Sequence, residues 1–361
     1  MGHGLKLEKR ARSAVGMTVG PTLRAAVMLL QVYPMLPSRP INWVTPRPVV
    51  ERFTYPTSRG PAEGDLYRPS TPGPHPGVVV CLGVVPFGVE HPQVPRLGEA
   101  LARSGFAALL YWSPAMRDCR LDPADVADIA SAYDCLLARS DVDATRSGLI
   151  GTCVGGAFAL MAAADARIRN RVAFVSAYAP YASMWTLCRD IASASRDRDG
   201  VREAWAVDPL TRKVYVHSVT ALLEADEAAP LLETMSADDA ERALAKLPIS
   251  FQQRLTAMSP EHYVADIRAP VIVILHDRDD VVIPVGESRR LRNLLGGRAG
   301  VRYTEFTVFK HLDPTRSKPS PVALTRELVR FFAAIQPLFA AAFAPTEQAS
   351  SPTVMVPARM L

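Results

Sequence analysis

Gly151-Thr152-Cys153-Val154-Gly155-Gly156 lies between a short apolar run at 148–151 and a nearly uncharged helical pattern at 154–164. The hexapeptide matches the G-x-S-x-G nucleophile elbow with cysteine in the place of serine, and a strand before it and a helix after it are the context that this motif requires. The turn is so tight that side chains at positions 151 and 155 would collide with the neighbouring strand and helix. The pattern predicts that Cys153 stands above the edge of a parallel sheet.

A thiol in this position has two sources of activation. The partial positive charge of a helix N-terminus favours the thiolate, and the backbone N–H of Val154 faces a developing oxyanion. A second N–H is expected from the loop after the apolar run at 78–82, where Gly83 permits close approach and Val84 or Val85 presents the donor. The alternative is a buried structural cysteine beside a glycine-rich packing contact, with Gly83 as an ordinary strand-exit glycine.

Short apolar runs alternate with helical patterns along most of the chain, as in repeated βαβ units. We expect buried parallel strands in the runs at 78–82, 106–112, 148–151, 171–177, 271–275 and 301–309. Helical spacing occurs at 93–104, 125–138, 154–164, 285–295 and 322–342. The sequence therefore predicts an α/β protein with a mostly parallel, doubly wound sheet.

The alternation breaks at 184–261, where the pattern is helical and shows no convincing strand. An all-helical insertion between two strands of a parallel sheet is best interpreted as a lid over the carboxyl ends of the strands, the edge at which open α/β sheets bind ligands. The expected organisation is an N-terminal extension with an apolar helix at 1–50, a core of 51–183 and 262–344, the lid at 184–261, and a flexible tail at 345–361.

An acyl-transfer thiol needs a base, and the base needs an orienting carboxylate. In chains with this elbow, the acid and then the histidine follow the nucleophile. Asp279 and Asp280 come after the strand at 271–275, and His311 is the only histidine beyond them. We predict His311 as the base and one of the two aspartates as the acid, the other being a turn or helix-cap carboxylate. A plain loop histidine is the alternative for His311.

Aromatic residues stand near the same edge. Tyr111 and Trp112 end a predicted strand, and Trp185 and Trp205 lie in the insertion. They are candidates for lining an apolar acyl pocket, although aromatic residues at such positions form plain core as often.

Composition narrows the class of protein. A hydrophobic fraction of 48% and a charged fraction of 21% are those of a globular chain and exclude disorder. The net charge is +5, but the arginines at 289–302 lie in a helical pattern, so we interpret them as a solvated face and expect no nucleic-acid partner. Five scattered cysteines form neither a disulfide framework nor a zinc spacing. We expect no cofactor, no metal and a reducing, cytoplasmic compartment.

The apolar stretch at 25–36 is too short to span a bilayer and is interrupted by Arg24 and Pro34. No small-residue cleavage site follows it, which disfavours a signal peptide. A helix packed on its own domain is the preferred interpretation, and peripheral membrane or partner contact through this helix is the alternative. Oligomeric state is not indicated.

The chain resembles the dienelactone hydrolase family of the α/β-hydrolase superfamily. The likeness covers roughly residues 64–182 and 262–335, with the clearest segments at 77–83, 103–106, 133–143, 151–156 and 280–284. In the family pattern D-x-x-[VI]-P the catalytic acid stands four residues before the proline, which is Asp280 here. The resemblance implies an α/β-hydrolase fold, a triad of Cys153, Asp280 and His311, and activity on esters or lactones. This chain departs from the family at Asp277 and Leu312, where glycine is usual, and at Val84, where dienelactone hydrolase has a glutamate.

A weaker resemblance is to polyhydroxyalkanoate synthases, which carry a G-x-C-x-G-G box with a Cys-Asp-His triad and transfer hydroxyacyl groups from coenzyme A. Their histidine follows a glycine, whereas Lys310 precedes His311 here. The predicted function is hydrolysis of a small-molecule carboxylic ester, lactone or thioester through a covalent acyl-enzyme. An acyltransferase of the synthase kind and a non-catalytic hydrolase-fold protein are the alternatives.

Overall fold

An eight-stranded sheet forms the centre of the computed structural model, which describes residues 20–32, 39–84, 91–311 and 318–344. Its spatial order is β1-β2-β4-β3-β5-β6-β9-β10, and all pairs are parallel except β1–β2 and β2–β4. The strands are β1 (Val49–Thr57), β2 (Gly60–Arg68), β3 (His75–Cys81), β4 (Ala107–Tyr111), β5 (Val142–Thr152), β6 (Phe174–Tyr178), β9 (Val271–Asp277) and β10 (Val301–Phe306). This architecture confirms the predicted fold class.

Helices cover both faces of the sheet. Those of the core and its N-terminal extension are α1 (Pro21–Val32), α2 (Arg39–Val44), α3 (Gln93–Arg103), α4 (Pro114–Arg117), α5 (Ala124–Leu137), α6 (Val154–Ala162), α12 (Val285–Leu294) and α13 (Pro321–Phe343). Because successive strand residues point to opposite faces, Val78 and Val80 pack with α1, α3 and α13, whereas Val79 and Cys81 pack with α5 and α6. Burial on both faces explains the continuous apolar runs of the central strands.

Two strands at one edge of the sheet were not predicted from the sequence. β1 and β2 form an antiparallel hairpin in which Pro56 pairs with Pro61. β1 alternates between half-buried and exposed residues, so it needs no continuous apolar run. Prolines within a run also argue against a strand, and they are tolerated here because the hairpin lies at the edge.

The insertion at 184–261 contains α7 (Met184–Ala192), β7 (Ser195–Arg198), β8 (Val201–Ala204), α8 (Pro209–Thr220), α9 (Ala225–Leu232), α10 (Ala237–Lys246) and α11 (Ile249–Ala257). The expectation of an all-helical insertion is therefore wrong, because β7 and β8 form an antiparallel hairpin. Its turn is Asp199-Gly200, both at positive φ, and Arg196 pairs with Glu203 across the strands at 2.9 Å. The strands of this hairpin are highly charged and have no apolar run, so they were not recognised as strands, although an Asp-Gly pair is a sequence signal for a hairpin turn.

Helix α1 packs against α3 and α13 of its own domain. Ala25 is fully buried, and Arg24 donates a hydrogen bond to the Ser104 carbonyl oxygen at 2.9 Å while its guanidinium lies 4.5 Å from the Phe343 ring centroid. Among the described residues, no helix has the length and hydrophobicity needed to cross a membrane. Residues 33–36 of the predicted apolar stretch and the tail at 345–361 lie outside the described residues. Membrane contact stays a prediction.

Candidate active site

The elbow places Cys153 at the carboxyl edge of the sheet, between β5 and α6. Its φ of 57° is unusual for a residue with a side chain, and its N–H donates to the Tyr178 carbonyl oxygen at 2.7 Å. A Cβ added to Gly155 would lie 2.2 Å from the Cys81 carbonyl oxygen, and one added to Gly151 would lie 2.3 Å from that of Gly155. Only glycine fits at these two positions, and the turn has the strained backbone that the elbow motif requires.

His311 lies between the thiol and a carboxylate. Its Nδ1 is 2.6 Å from Asp280 Oδ2, and its ring lines the same cavity as Cys153 and interacts electrostatically with that side chain. Burial alone would lower the pKa of His311, but the charges of Asp280 and Cys153 hold it well above the ordinary histidine value. A protonated imidazole therefore lies between the Asp280 carboxylate and the cavity that Cys153 lines.

Asp280 is 1% exposed and is held in one orientation by its own loop. Its Oδ1 accepts the N–H groups of Val282 at 2.7 Å and Ile283 at 3.2 Å, which leaves Oδ2 for His311. Desolvation opposes ionisation here, yet the charge of His311 and these hydrogen bonds lower the pKa of Asp280. The carboxylate is charged at neutral pH and orients the imidazole.

Asp279 has a different environment. Its side chain is 49% exposed and pairs with Arg198 at 3.3 Å and with Lys310 at 3.7 Å. The structure therefore brings Cys153, His311 and Asp280 together and leaves Asp279 at the surface.

The expected oxyanion donors lie next to the sulfur. Gly83 has a φ of +71°, and a Cβ on it would be 2.9 Å from the Thr152 carbonyl oxygen, so the strand exit runs directly against the elbow. Val84 and Val154 line the same cavity as Cys153. Their backbone N–H groups are the expected donors to a substrate oxygen. Val85, the alternative donor, lies outside the described residues.

Asp277 supports the histidine loop, a role that was not anticipated. The buried carboxylate accepts the N–H groups of Phe309 and His311, each at 3.2 Å, and the hydroxyl of Tyr178. Lys310 and His311 both have positive φ, so this loop needs external hydrogen bonds to hold its conformation. Burial raises the pKa of Asp277. The available signal was an aspartate at a position where dienelactone hydrolases, which the sequence resembles, usually have glycine.

His276 lies behind the acid and is fully buried. Its Nδ1 is 2.6 Å from Ser288 Oγ and its Nε2 is 3.0 Å from the Ile283 carbonyl oxygen. Burial lowers the pKa of His276, so a neutral ring packs 3.6 Å from Asp280 Oδ2. This histidine supports the acid loop and does not reach the thiol's cavity.

A cavity of about 650 Å³ opens at the triad and is mostly apolar. Cys153, Val84, Val154 and His311 form part of its wall. The prediction of an aromatic lining is wrong, because Tyr111, Trp112 and Trp185 are not among the described residues that line the cavity. Each ring is held elsewhere by a hydrogen bond to a carboxylate. The Tyr111 hydroxyl donates to Asp125 at 3.1 Å, the Trp112 indole to Asp65 at 3.2 Å, and the Trp185 indole to Glu241 at 2.7 Å.

The insertion is bonded to the loop that carries the acid. Arg196 donates to the Asp280 carbonyl oxygen at 2.9 Å, and the indole of Trp205 donates to that of Val281 at 3.2 Å. The Thr211 hydroxyl donates to the next carbonyl oxygen along, at 3.2 Å. The hairpin and the start of α8 thus hold the main chain of the acid loop. In the part of the chain that the structure describes, no cluster of three potential metal-ligating side chains occurs.

No protein-family model and no curated protein sequence matches the chain. Solved structures do. The uncomplexed acylaminoacyl peptidase of Pyrococcus horikoshii matches with a TM-score of 0.56 at 13% identity, over 87% of this chain and 45% of that chain. A puromycin hydrolase matches with a TM-score of 0.53 at 17% identity, over 82% of this chain and 39% of that chain. A 2,6-dihydroxy-pseudo-oxynicotine hydrolase matches with a TM-score of 0.52 at 16% identity, over 82% of this chain and 68% of that chain.

This chain spans less than half of the length of the acylaminoacyl peptidases that it matches. At such identities the similarity shows the fold alone. The fold is that of the α/β hydrolases.

Proposed function

We propose that this chain hydrolyses carboxylic esters, lactones or thioesters through a covalent acyl-enzyme on Cys153. The observation that carries the proposal is the placement of Cys153 and His311 on the wall of one apolar cavity, with His311 bonded at 2.6 Å to a buried, charged Asp280. A nucleophile, a base and an orienter in this order are what acyl transfer requires.

In the first half-reaction the Cys153 thiolate attacks the carbonyl carbon and the π electrons move to the carbonyl oxygen. The N–H groups of Val154 and Val84 stabilise that oxyanion. When the intermediate collapses, the bond to the leaving oxygen or sulfur breaks and the His311 imidazolium supplies the proton that it needs. The products are a thioester on Cys153, a neutral imidazole and the free alcohol or thiol.

In the second half-reaction neutral His311 takes a proton from water, and the resulting hydroxide attacks the thioester. Collapse breaks the carbon–sulfur bond, releases the carboxylic acid and restores the thiolate–imidazolium pair. Asp280 keeps the ring in the required orientation throughout and is not itself protonated.

The structural neighbours named above are hydrolases and a peptidase, which agrees with acyl-transfer chemistry on this fold. Peptide amides are a second candidate on that ground. The dienelactone hydrolase resemblance favours esters and lactones, and the polyhydroxyalkanoate synthase resemblance favours transfer from coenzyme A thioesters.

A substrate panel tests the proposal. The protein is incubated with p-nitrophenyl esters, a lactone, an acyl-coenzyme A and a peptide p-nitroanilide, and free acid and transferred acyl groups are both quantified. We expect free acid from the esters, its loss in Cys153→Ala, and its retention in Cys135→Ala, whose cysteine lies on α5 away from the cavity. Acyl transfer without free acid would establish the acyltransferase. No product with any substrate, together with an unreactive Cys153, would establish a non-catalytic protein.

A further inference from the structure

The cavity at the triad extends to both faces of the sheet. One part, here called the helix limb, is walled by α1, α3 and α13, with Met28, Val32, Leu97, Leu101, Ile335 and Phe339 among its lining residues. The other part, here called the insertion limb, is walled by α7, α8 and α11, with Leu187, Tyr215, Val219 and Leu255 among its lining residues. All of the first set except Val32 belong to the core cluster of Val78 and Val80, and the second set belongs to that of Val79, so the two limbs lie on opposite faces.

The two limbs differ in chemistry. Apart from Gln93 at the first turn of α3, every lining residue that α1, α3 and α13 contribute is apolar. The insertion limb has polar side chains among its apolar ones, including Asp208, Thr211, Ser218 and Arg254. Binding of a long hydrocarbon is favourable in the helix limb, because apolar surface is buried there. In the insertion limb the same chain would desolvate polar groups, which is unfavourable.

Cys153 lies where the limbs meet. When its sulfur binds a carbonyl carbon whose oxygen points to the N–H groups of Val154 and Val84, the two remaining substituents of that carbon diverge. One is the acyl chain and the other is the leaving group. With one limb on each side of the thiol, each substituent has its own space.

We propose that the helix limb binds a long, unbranched acyl chain and that the insertion limb receives the leaving group. This inference rests on the proposed acyl-enzyme function and names its substrate class as fatty-acyl esters or thioesters. The cavity volume of about 650 Å³ is within the range of small-molecule sites and exceeds what a short acyl group fills. Helix α1, which lies outside the predicted catalytic core, becomes part of the substrate site through Met28 and Val32.

Binding is tested first, because it does not depend on turnover. Dodecanoate and hexanoate are titrated calorimetrically into full-length Cys153→Ala. We expect dodecanoate to bind at least about tenfold more tightly, since each buried methylene contributes to affinity. Adding Ile335→Phe fills the helix limb and should abolish that preference. Adding Val329→Phe instead, at a residue of the same helix that is 61% exposed, should keep the preference for dodecanoate. Equal affinities for the two acids, or equal effects of the two substitutions, would overturn the proposal.

Turnover is tested next with p-nitrophenyl esters from acetyl to decanoyl. In the otherwise unaltered chain, kcat/KM should rise about two- to fourfold per methylene until the limb is full. In Ile335→Phe, and in Leu97→Phe should the former fail to fold, the optimum should move to shorter chains, whereas Val329→Phe should keep the optimum of the unaltered chain. A flat or falling profile with Cys153-dependent acetyl turnover would refute the acyl-chain site and leave the hydrolase standing. Absence of all turnover with selective dodecanoate binding would refute the hydrolase and leave the site.

Discussion

At the scale of single residues, two adjacent aspartates have opposite environments. Asp280 is buried and forms a hydrogen bond with the His311 imidazole, whereas Asp279 lies at the surface and pairs with Arg198 and Lys310. Loss of the orienting acid costs on the order of 10⁴ in kcat in a serine triad, but a thiol is intrinsically more acidic and needs less help. We expect a loss of about 10²-fold for Asp280→Asn and less than about 5-fold for Asp279→Asn, measured by steady-state kinetics. Circular dichroism controls for folding, and a larger loss at Asp279 would reverse the assignment.

The raised pKa of His311 has a consequence for pH dependence. If the reactive form contains the imidazolium, kcat/KM falls as pH rises through the pKa of His311, which lies well above the ordinary histidine value. Asp280→Asn removes the charge that raises the pKa of His311 most, so the fall in kcat/KM at high pH should begin at a lower pH. The same ion pair stabilises the fold below the ordinary pKa of histidine, about 6.5, and this contribution is lost as pH rises through the raised value. A high-pH limb that does not move in this variant would show that His311 is not the titrating group.

The histidine loop gives a further prediction. Asp277→Ala removes the acceptor for two N–H groups of a loop with positive φ, so His311 should lose its position. Displacement of a catalytic group by about 1 Å costs up to about 10²-fold. We expect a fall in kcat of about tenfold or more with KM nearly unchanged, and slower alkylation of Cys153 by iodoacetamide. Asp165→Asn, in a loop remote from the cavity, is the control. Unchanged alkylation with lower stability would reduce Asp277 to a purely structural residue.

The triad residues could be chosen from the sequence because each has a local mark: the elbow glycines, the strand-end aspartate before proline, and the last histidine after it. The supporting residues have no such mark. Asp277 and His276 act through main-chain groups that approach only in the folded chain. The aromatic pocket was mispredicted for the same reason, because the direction of Tyr111 and Trp112 follows from carboxylates on other elements.

At the scale of elements, the insertion is tied to the catalytic loop by its hairpin. Arg196→Ala removes a charged donor from the Asp280 carbonyl oxygen, and hydrogen bonds of this kind contribute about 1.5–3 kcal/mol. We expect kcat to fall about fivefold or more, with faster hydrogen exchange at 280–283 and an unchanged melting temperature of the core. Arg242→Ala, whose side chain pairs only with its neighbour Asp239 on α10 among the described residues, should have no effect. Equal exchange in both variants would show that the hairpin does not support the acid loop.

Gating by the insertion stays a proposal. The hydrogen bonds from Arg196, Trp205 and Thr211 hold β7, β8 and the start of α8 to the core. Helix α11 is also held to the core, since Arg254 donates to the Leu121 carbonyl oxygen at 3.3 Å. Any opening motion therefore falls to α9 and α10, which carry much of the exposed surface of the insertion.

At the scale of the whole molecule, periodicity was sufficient for the fold class and insufficient for its edges. The buried central strands have continuous apolar runs, so each was found, and all but β5 within about three residues of its ends. β5 begins at Val142, six residues before the predicted run at 148–151, because its first half is polar. The β1–β2 hairpin is half-solvated and the β7–β8 hairpin is highly charged, and neither has such a run. The packing of α1 on α3 and α13 was one of several open interpretations, because an apolar helix suits a membrane surface as well as a core.

The central claim is that Cys153 carries the acyl group. The most direct measurement is mass spectrometry of the protein quenched in acid during turnover of p-nitrophenyl acetate, followed by peptide mapping. The account predicts an acetyl adduct on the peptide that contains Cys153, its decay once substrate is exhausted, and its absence from Cys153→Ala. An adduct on another residue, or continued turnover by Cys153→Ala, would contradict it.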